Sequence, residues 1–130
     1  MDNSTMLLRQ IHPSFVQNGR VTSQAFRPTP KDQKRLSVYD GDQIEADKAF
    51  EHYTEDLGHK SIGTMAVTRG ECLDVQLPVR PEPEQFKEHA VIDFVDFEKR
   101  IVEKKAKQLR NKADSRGWVF QISMTDVGHH

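Results

Sequence analysis

The sequence predicts an α+β domain, a mixed or mainly antiparallel sheet of about four to six strands with two main helices packed on it. Two observations carry that class. MLLRQIH, LSVY, SIGTMAVT and HAVIDF are short apolar or alternating runs bounded by Gly, Pro or Asp, whereas residues 42–57 and 96–116 repeat their apolar positions at helical spacing. A third bounds the size. With 130 residues, 35% apolar and 30% charged, the chain fits one domain able to bury a core without metal or disulfide staples. Residues 1–6 are expected as a disordered terminus, 7–123 as the domain and 124–130 as a flexible tail. The closing His129-His130 pair is set aside from site reasoning.

After a loose Met1–Thr5, MLLRQIH alternates as a first strand, with Leu7, Arg9 and Ile11 on one side and Leu8, Gln10 and His12 on the other. Pro13 biases His12 away from helix, Asn18-Gly19 supplies a positive-φ turn, and RVTSQAF alternates as a second strand. Pro28 and Pro30 then hold RPTPKDQKR in an extended loop. LSVY is a short strand and DGD its turn. Asp42 with Glu45 three residues on reads as a capping box, opening a helix on Ala46, Ala49, Phe50, Tyr53 and Leu57 that Gly58 stops.

SIGTMAVT is the clearest strand, followed by a helical turn at ECLDVQL and a break at Pro81 and Pro83. HAVIDF is apolar nearly throughout and reads as a central strand. Asp96 is the expected N-cap of the last helix, whose Phe97, Ile101, Val102, Ala106, Leu109 and Ala113 recur at helical intervals until Gly117. WVFQIS closes the fold as a strand.

Charge is segregated even though the formal net charge is only −1. Asp40, Asp42, Glu45, Asp47, Glu51, Glu55 and Asp56 crowd the first helix, while Lys99, Arg100, Lys104, Lys105, Lys107, Arg110, Lys112 and Arg116 crowd the last. Such faces are ordinarily solvated, yet they also allow an acidic helix of one copy to meet a basic helix of another. Nucleic-acid binding through Lys104, Lys105 and Arg110 is a further alternative. It lacks a recognition motif or exposed aromatics beside the basic stripe.

No phosphate loop, dinucleotide fingerprint, zinc-finger spacing or HExxH occurs, so no cofactor and no metal site is expected. His52, Glu55 and His59 match no common ligand spacing. Cys72 cannot form an internal bridge and reads as a small buried apolar residue. With no charged-then-apolar leader before it and no membrane-length apolar run, a reducing, cytoplasmic setting is expected.

One third of the chain is crowded with hydrogen-bonding side chains: Arg9, His12, Arg20, Ser23, Gln24, Lys31, Asp32, Ser37, Asp40 and Asp42. Turns and caps account for some of them. The excess points to recognition, with Arg20, Gln24, Lys31, Asp32 and Asp40 as binding candidates. Arg9, Ser23 and Glu71 can also be fitted to the gross layout of mono-ADP-ribosyltransferase-like folds, in which cationic and hydroxyl groups hold a dinucleotide and a carboxylate orients the nucleophile. They are the catalytic candidates of an enzyme alternative.

The segments HPSFVQNGRVTSQAFRPTPKD, LSVYDGD and HAVIDF resemble a set of small uncharacterised bacterial proteins of similar length that share this order, over about residues 7–116. The resemblance implies a bacterial, cytoplasmic, single-domain protein and no particular activity. The expectation is therefore a non-catalytic interaction or accessory protein that binds a protein partner, or a second copy of itself, through residues 12–42 or its charged helices.

Overall fold

A computed structural model describes residues 1–29 and 33–122; Lys31, Asp32 and the tail from residue 123 lie outside the described residues. In chain order the strands are β1 (Met6–Gln10), β2 (Val16–Gln17), β3 (Arg20–Val21), β4 (Arg35–Asp40), β5 (Gly63–Thr68), β6 (Val79–Pro81), β7 (His89–Asp93) and β8 (Phe120–Gln121). The helices are α1 (Ala46–Glu51), α2 (Arg69–Asp74) and α3 (Lys99–Arg116). Six strands form one sheet in the order β6-β7-β4-β1-β5-β8, antiparallel at every pairing, and β2-β3 is a separate hairpin.

Alternation along the strands sorts side chains to two faces. Leu7 of β1 and Ile11 just after it, Leu36 and Val38 of β4, Met65 and Val67 of β5, and Ala90 and Ile92 of β7 share the larger core with Val102, Ala106, Leu109 and Ala113 of α3. Leu8, Tyr39 and Ala66, one position out of phase, join Ala49 of α1 in a smaller cluster. The acidic α1 and the basic α3 thus occupy opposite faces of the sheet.

Several expectations fail for identifiable reasons. RVTSQAF is a strand only at Arg20–Val21, and Ser23–Phe26 is a 3-10 turn. Ala25 and Phe26 are both fully buried. Adjacent strand residues face opposite ways, so only a turn sends both into one core. Asp42 does not cap α1: its carboxylate accepts the Thr5 hydroxyl at 2.5 Å, and α1 starts after Glu45 without a side-chain cap. The capping box lies instead at α2, where Thr68 and Glu71 bond each other's backbone N–H at 3.1 and 2.8 Å. For α3 the N-cap is Glu98, not Asp96. The Pro81 break hides an edge strand, β6, a position that tolerates proline because no N–H is needed there.

The N-terminus is tied rather than loose. Thr5 is buried and closes a turn with Asp2, while the Asn3 carbonyl accepts from Gly70 N–H at 3.0 Å. Helix stops at Gly58 and Gly117 stand, both at positive φ (72° and 85°). Between α1 and Gly58 the helix widens into a π turn over His52–Asp56. No helix among the described residues is long and apolar enough to cross a membrane.

Candidate functional site

The sheet is nearly two half-sheets. β1 pairs with β5 along its whole length and β4 pairs with β7 from Arg35 to Tyr39, but β1 and β4 meet only at Leu7↔Asp40 and Leu8↔Tyr39. Beyond Leu8 the two strands part. Main-chain groups facing such a split lose their ladder partners. Arg9 replaces them: its Nε donates to Ala25 O at 2.7 Å and its Nη1 to Ser37 O at 3.0 Å. The catalytic candidate Arg9 therefore wedges the split.

Over this split, on the α1 face, lies a cleft of about 330 Å³ lined by Gln10, Ser37, Tyr39, Tyr53, Phe86 and His89 among others. Its walls come from three regions. Tyr39 belongs to β4, Tyr53 to the π turn after α1, and Phe86 to the loop between β6 and β7. The Phe86 ring stands 5.1 Å from Tyr39, 4.7 Å from His52 and 5.1 Å from His89. Tyr39 Oη lies 2.8 Å from His52 Nδ1. Burial, followed by nearby Tyr53 and acidic side chains, pushes the Tyr39 phenol well above its ordinary pKa, so it stays neutral.

Two buried polar side chains belong to the cleft lining. His89, 4% exposed, has Nδ1 at 2.8 Å from Glu82 O and Nε2 at 3.1 Å from Ser37 Oγ. A carbonyl only accepts, so Nδ1 carries a proton and donates it to Glu82 O. Gln10, also 4% exposed, takes the Ser61 and Thr64 hydroxyls on Oε1 at 2.9 and 3.0 Å. Its Nε2 is buried without a partner among the described residues. Gln10 is among the cleft-lining residues, but this nitrogen has almost no accessible surface, so an acceptor in the cleft does not reach it in this conformation.

The anticipated site residues are scattered by comparison. Ser23 begins the 3-10 turn and lines none of the described clefts. Glu71 is committed to the α2 capping box and to Arg116 at 3.0 Å. Burial acts to raise its carboxyl, but the Arg116 and Thr68 hydrogen bonds outweigh it and hold the pKa below the ordinary 4.5. Asp40 is buried in its own turn, accepting from Asp42 N–H and Gln43 Nε2. Arg20, with a side chain 63% exposed, reaches Asp114 only at 3.9 Å, and Gln24 is exposed.

The basic face of α3 is also partly consumed. Lys105 turns inward, donating to Val75 O with its ammonium 4.4 Å from the Phe97 ring centre. Arg110 Nη1 donates to Val21 O at 3.3 Å, its buried Nε staying unpaired, and Arg116 Nη1 donates to Ala66 O at 2.8 Å. Lys104 stays exposed. Cys72 is fully buried, and burial, with Glu71 beside it, pushes its thiol pKa up to about 12. It is inert as a nucleophile.

Of the cleft residues, only Arg9 and Ser37 belonged to the polar crowd read from the sequence. Phe86 had a visible signal, a lone aromatic in the charged loop PEPEQFKEH, as did a glutamine inside an apolar strand. No family model matches the chain, and no curated protein or solved structure matches it.

Proposed function

We propose that the protein is a non-catalytic recognition module whose site is the cleft over the β1–β4 split, rather than the loop surface of residues 12–42. The composition of the cleft carries this reading: the aromatic side chains of Tyr53 and Phe86 and the hydrogen-bonded Ser37–His89 pair converge on one concavity of about 330 Å³, the mixture of apolar walls and a few placed polar groups that a small-molecule site has. Tyr53 and Phe86 supply the apolar area such a ligand would cover. The test is a set of 1H–15N spectra recorded with fractions of a small-molecule extract. Shifts confined to Gln10, Ser37, Tyr39, Phe86 and His89 support the cleft; shifts confined to Arg20, Gln24 or the exposed lysines of α3 overturn it.

The Ser37–His89 contact favours a second reading, acyl transfer. A hydroxyl bonded to an imidazole whose other nitrogen is anchored is the arrangement of a serine nucleophile and its base. Against it, the group on Nδ1 is a main-chain carbonyl, and the Glu82 carboxylate stands 3.9 Å away while paired with Arg35 at 3.2 Å. Labelling of the folded protein by a fluorophosphonate, lost in Ser37→Ala, would move the assignment to catalysis. An unlabelled Ser37 leaves recognition standing.

A further inference from the structure

We infer that the outward stripe of α3 docks on the acidic surface of α1 in a second copy of this chain, building a head-to-tail assembly that does not depend on the cleft. The cations of α3 divide into two sets. Lys105, Arg110 and Arg116 turn inward onto main-chain carbonyls. Arg100, Lys104 and Lys107 are exposed and lie at helical spacing on the side opposite the buried Val102, Ala106, Leu109 and Ala113, so they form one outward stripe. Lys104 and Lys107 have no hydrogen bond or ion pair among the described residues, and Arg100 reaches Glu98 only at 3.9 Å. Lys99 and Lys112, exposed and likewise unpaired among the described residues, flank the stripe.

The other face of the sheet presents the complement. Asp47, Glu51 and Glu55 recur every four residues along α1 and the π turn, all exposed, with Glu45 and Asp56 beside them. Lys48, the cation within this stretch, is bound to Glu51 at 3.2 Å, which leaves Glu45, Glu55 and Asp56 without an ion pair among the described residues. Each stripe runs for about 10 Å, so three charges of one sign can face three of the other. With a formal net charge of −1, two copies approach with almost no overall repulsion, and the segregated charge decides how they meet. Because α1 and α3 lie on opposite faces, one neighbour cannot cover both patches; every contact leaves a free α1 at one end and a free α3 at the other. The contact is therefore heterologous and open-ended, and its solvated ion pairs make it weak and sensitive to salt.

The test is sedimentation velocity of the intact protein from about 10 to about 500 µM, in about 20 mM and about 300 mM NaCl. The expected result is reversible association that passes beyond a dimer as concentration rises, with an apparent association constant about tenfold or more lower at the higher salt. Lys104→Glu/Lys107→Glu and Glu51→Lys/Glu55→Lys should each be monomeric alone, because each loses the required charge on one of its two faces. Mixed in equal amounts they should associate again, through the intact α1 of the first and the intact α3 of the second. Lys60→Glu/Lys87→Glu changes the net charge as much as the first double variant but alters neither helix, and both positions are exposed, so it should associate as wild type does. The thermal midpoint of each variant reports whether it is folded. A wild type that stays monomeric at low salt, association that stops at a dimer, or association indifferent to salt would each overturn the inference. So would reversed variants that stay monomeric when mixed, or an equal loss in Lys60→Glu/Lys87→Glu, which would trace the effect to net charge.

Discussion

The two faces of the sheet treat their polar groups differently. Beneath α3, cations close off main-chain carbonyls one by one: Lys105 on Val75, Arg110 on Val21 and Arg116 on Ala66. Arg9 does the same on Ala25 and Ser37, closing the split from that side, whereas above it the α1 face carries an aromatic-lined cleft where the Ser37 and His89 side chains bond each other. Charge density alone would have placed ligand recognition on α3. Accounting for each donor and acceptor reverses that, because a cation bonded to a buried carbonyl is part of the scaffold.

The comparison can be broken most forcefully by removing bulk from each face. Phe26→Ala, fully buried beneath α3, should cost about 3–5 kcal/mol in urea unfolding, whereas the half-buried Phe86→Ala should cost about 1 kcal/mol while abolishing cleft-directed binding. Equal losses would mean that the Phe86 loop is core. Lys105→Met keeps the stem and leaves Val75 O unpaired, so a loss of about 1–3 kcal/mol is expected; a neutral result would remove Lys105 from the scaffold.

Glu71 offers a pH version of the same test. Its folded pKa is depressed, so its stabilising contribution is complete above the ordinary glutamate value and is lost as pH falls through the folded value. The difference in Tm between wild type and Glu71→Gln should therefore shrink from about pH 7 to about pH 3. A difference that stays constant would show that the carboxylate charge is not what matters. The smallest effects belong to Arg20→Ala and Lys104→Ala, each expected within about 0.5 kcal/mol of wild type and with cleft binding unchanged.

Much of the sheet was legible because its strands alternate or run apolar: β1, β4, β5 and β7 fall where the pattern puts them. The misreadings share a cause. Val21, Ser23 and Ala25 mimic strand alternation, but burying both Ala25 and Phe26 requires a turn, and that demand comes from α3 far along the chain. Asp42 has the sequence context of a cap, yet its carboxylate is claimed by Thr5, 37 residues away. Gly41 is needed less for its turn than for a long-range approach, since a Cβ there would stand 2.5 Å from Met6 O.

The cleft was less legible still. Its rings and polar groups come from β1, β4, the π turn and the residues after it, the loop before β7 and β7 itself, and its floor exists only because β1 and β4 part after two residue pairs. Pattern shows which residues face one way along a strand; it does not show where two strands stop pairing. Ser37 was visible as one polar residue among ten, while Gln10 was placed only as one position in the alternation of the first strand.

The most direct measurement is retention of small molecules from a metabolite extract, identified by mass spectrometry after washing, by wild type, Phe86→Ala and the double variant Arg20→Ala/Lys104→Ala. The account predicts a compound retained by wild type and by the double variant and lost from folded Phe86→Ala. Retention undiminished in Phe86→Ala, or lost only from the double variant, would contradict it and return recognition to the charged surface.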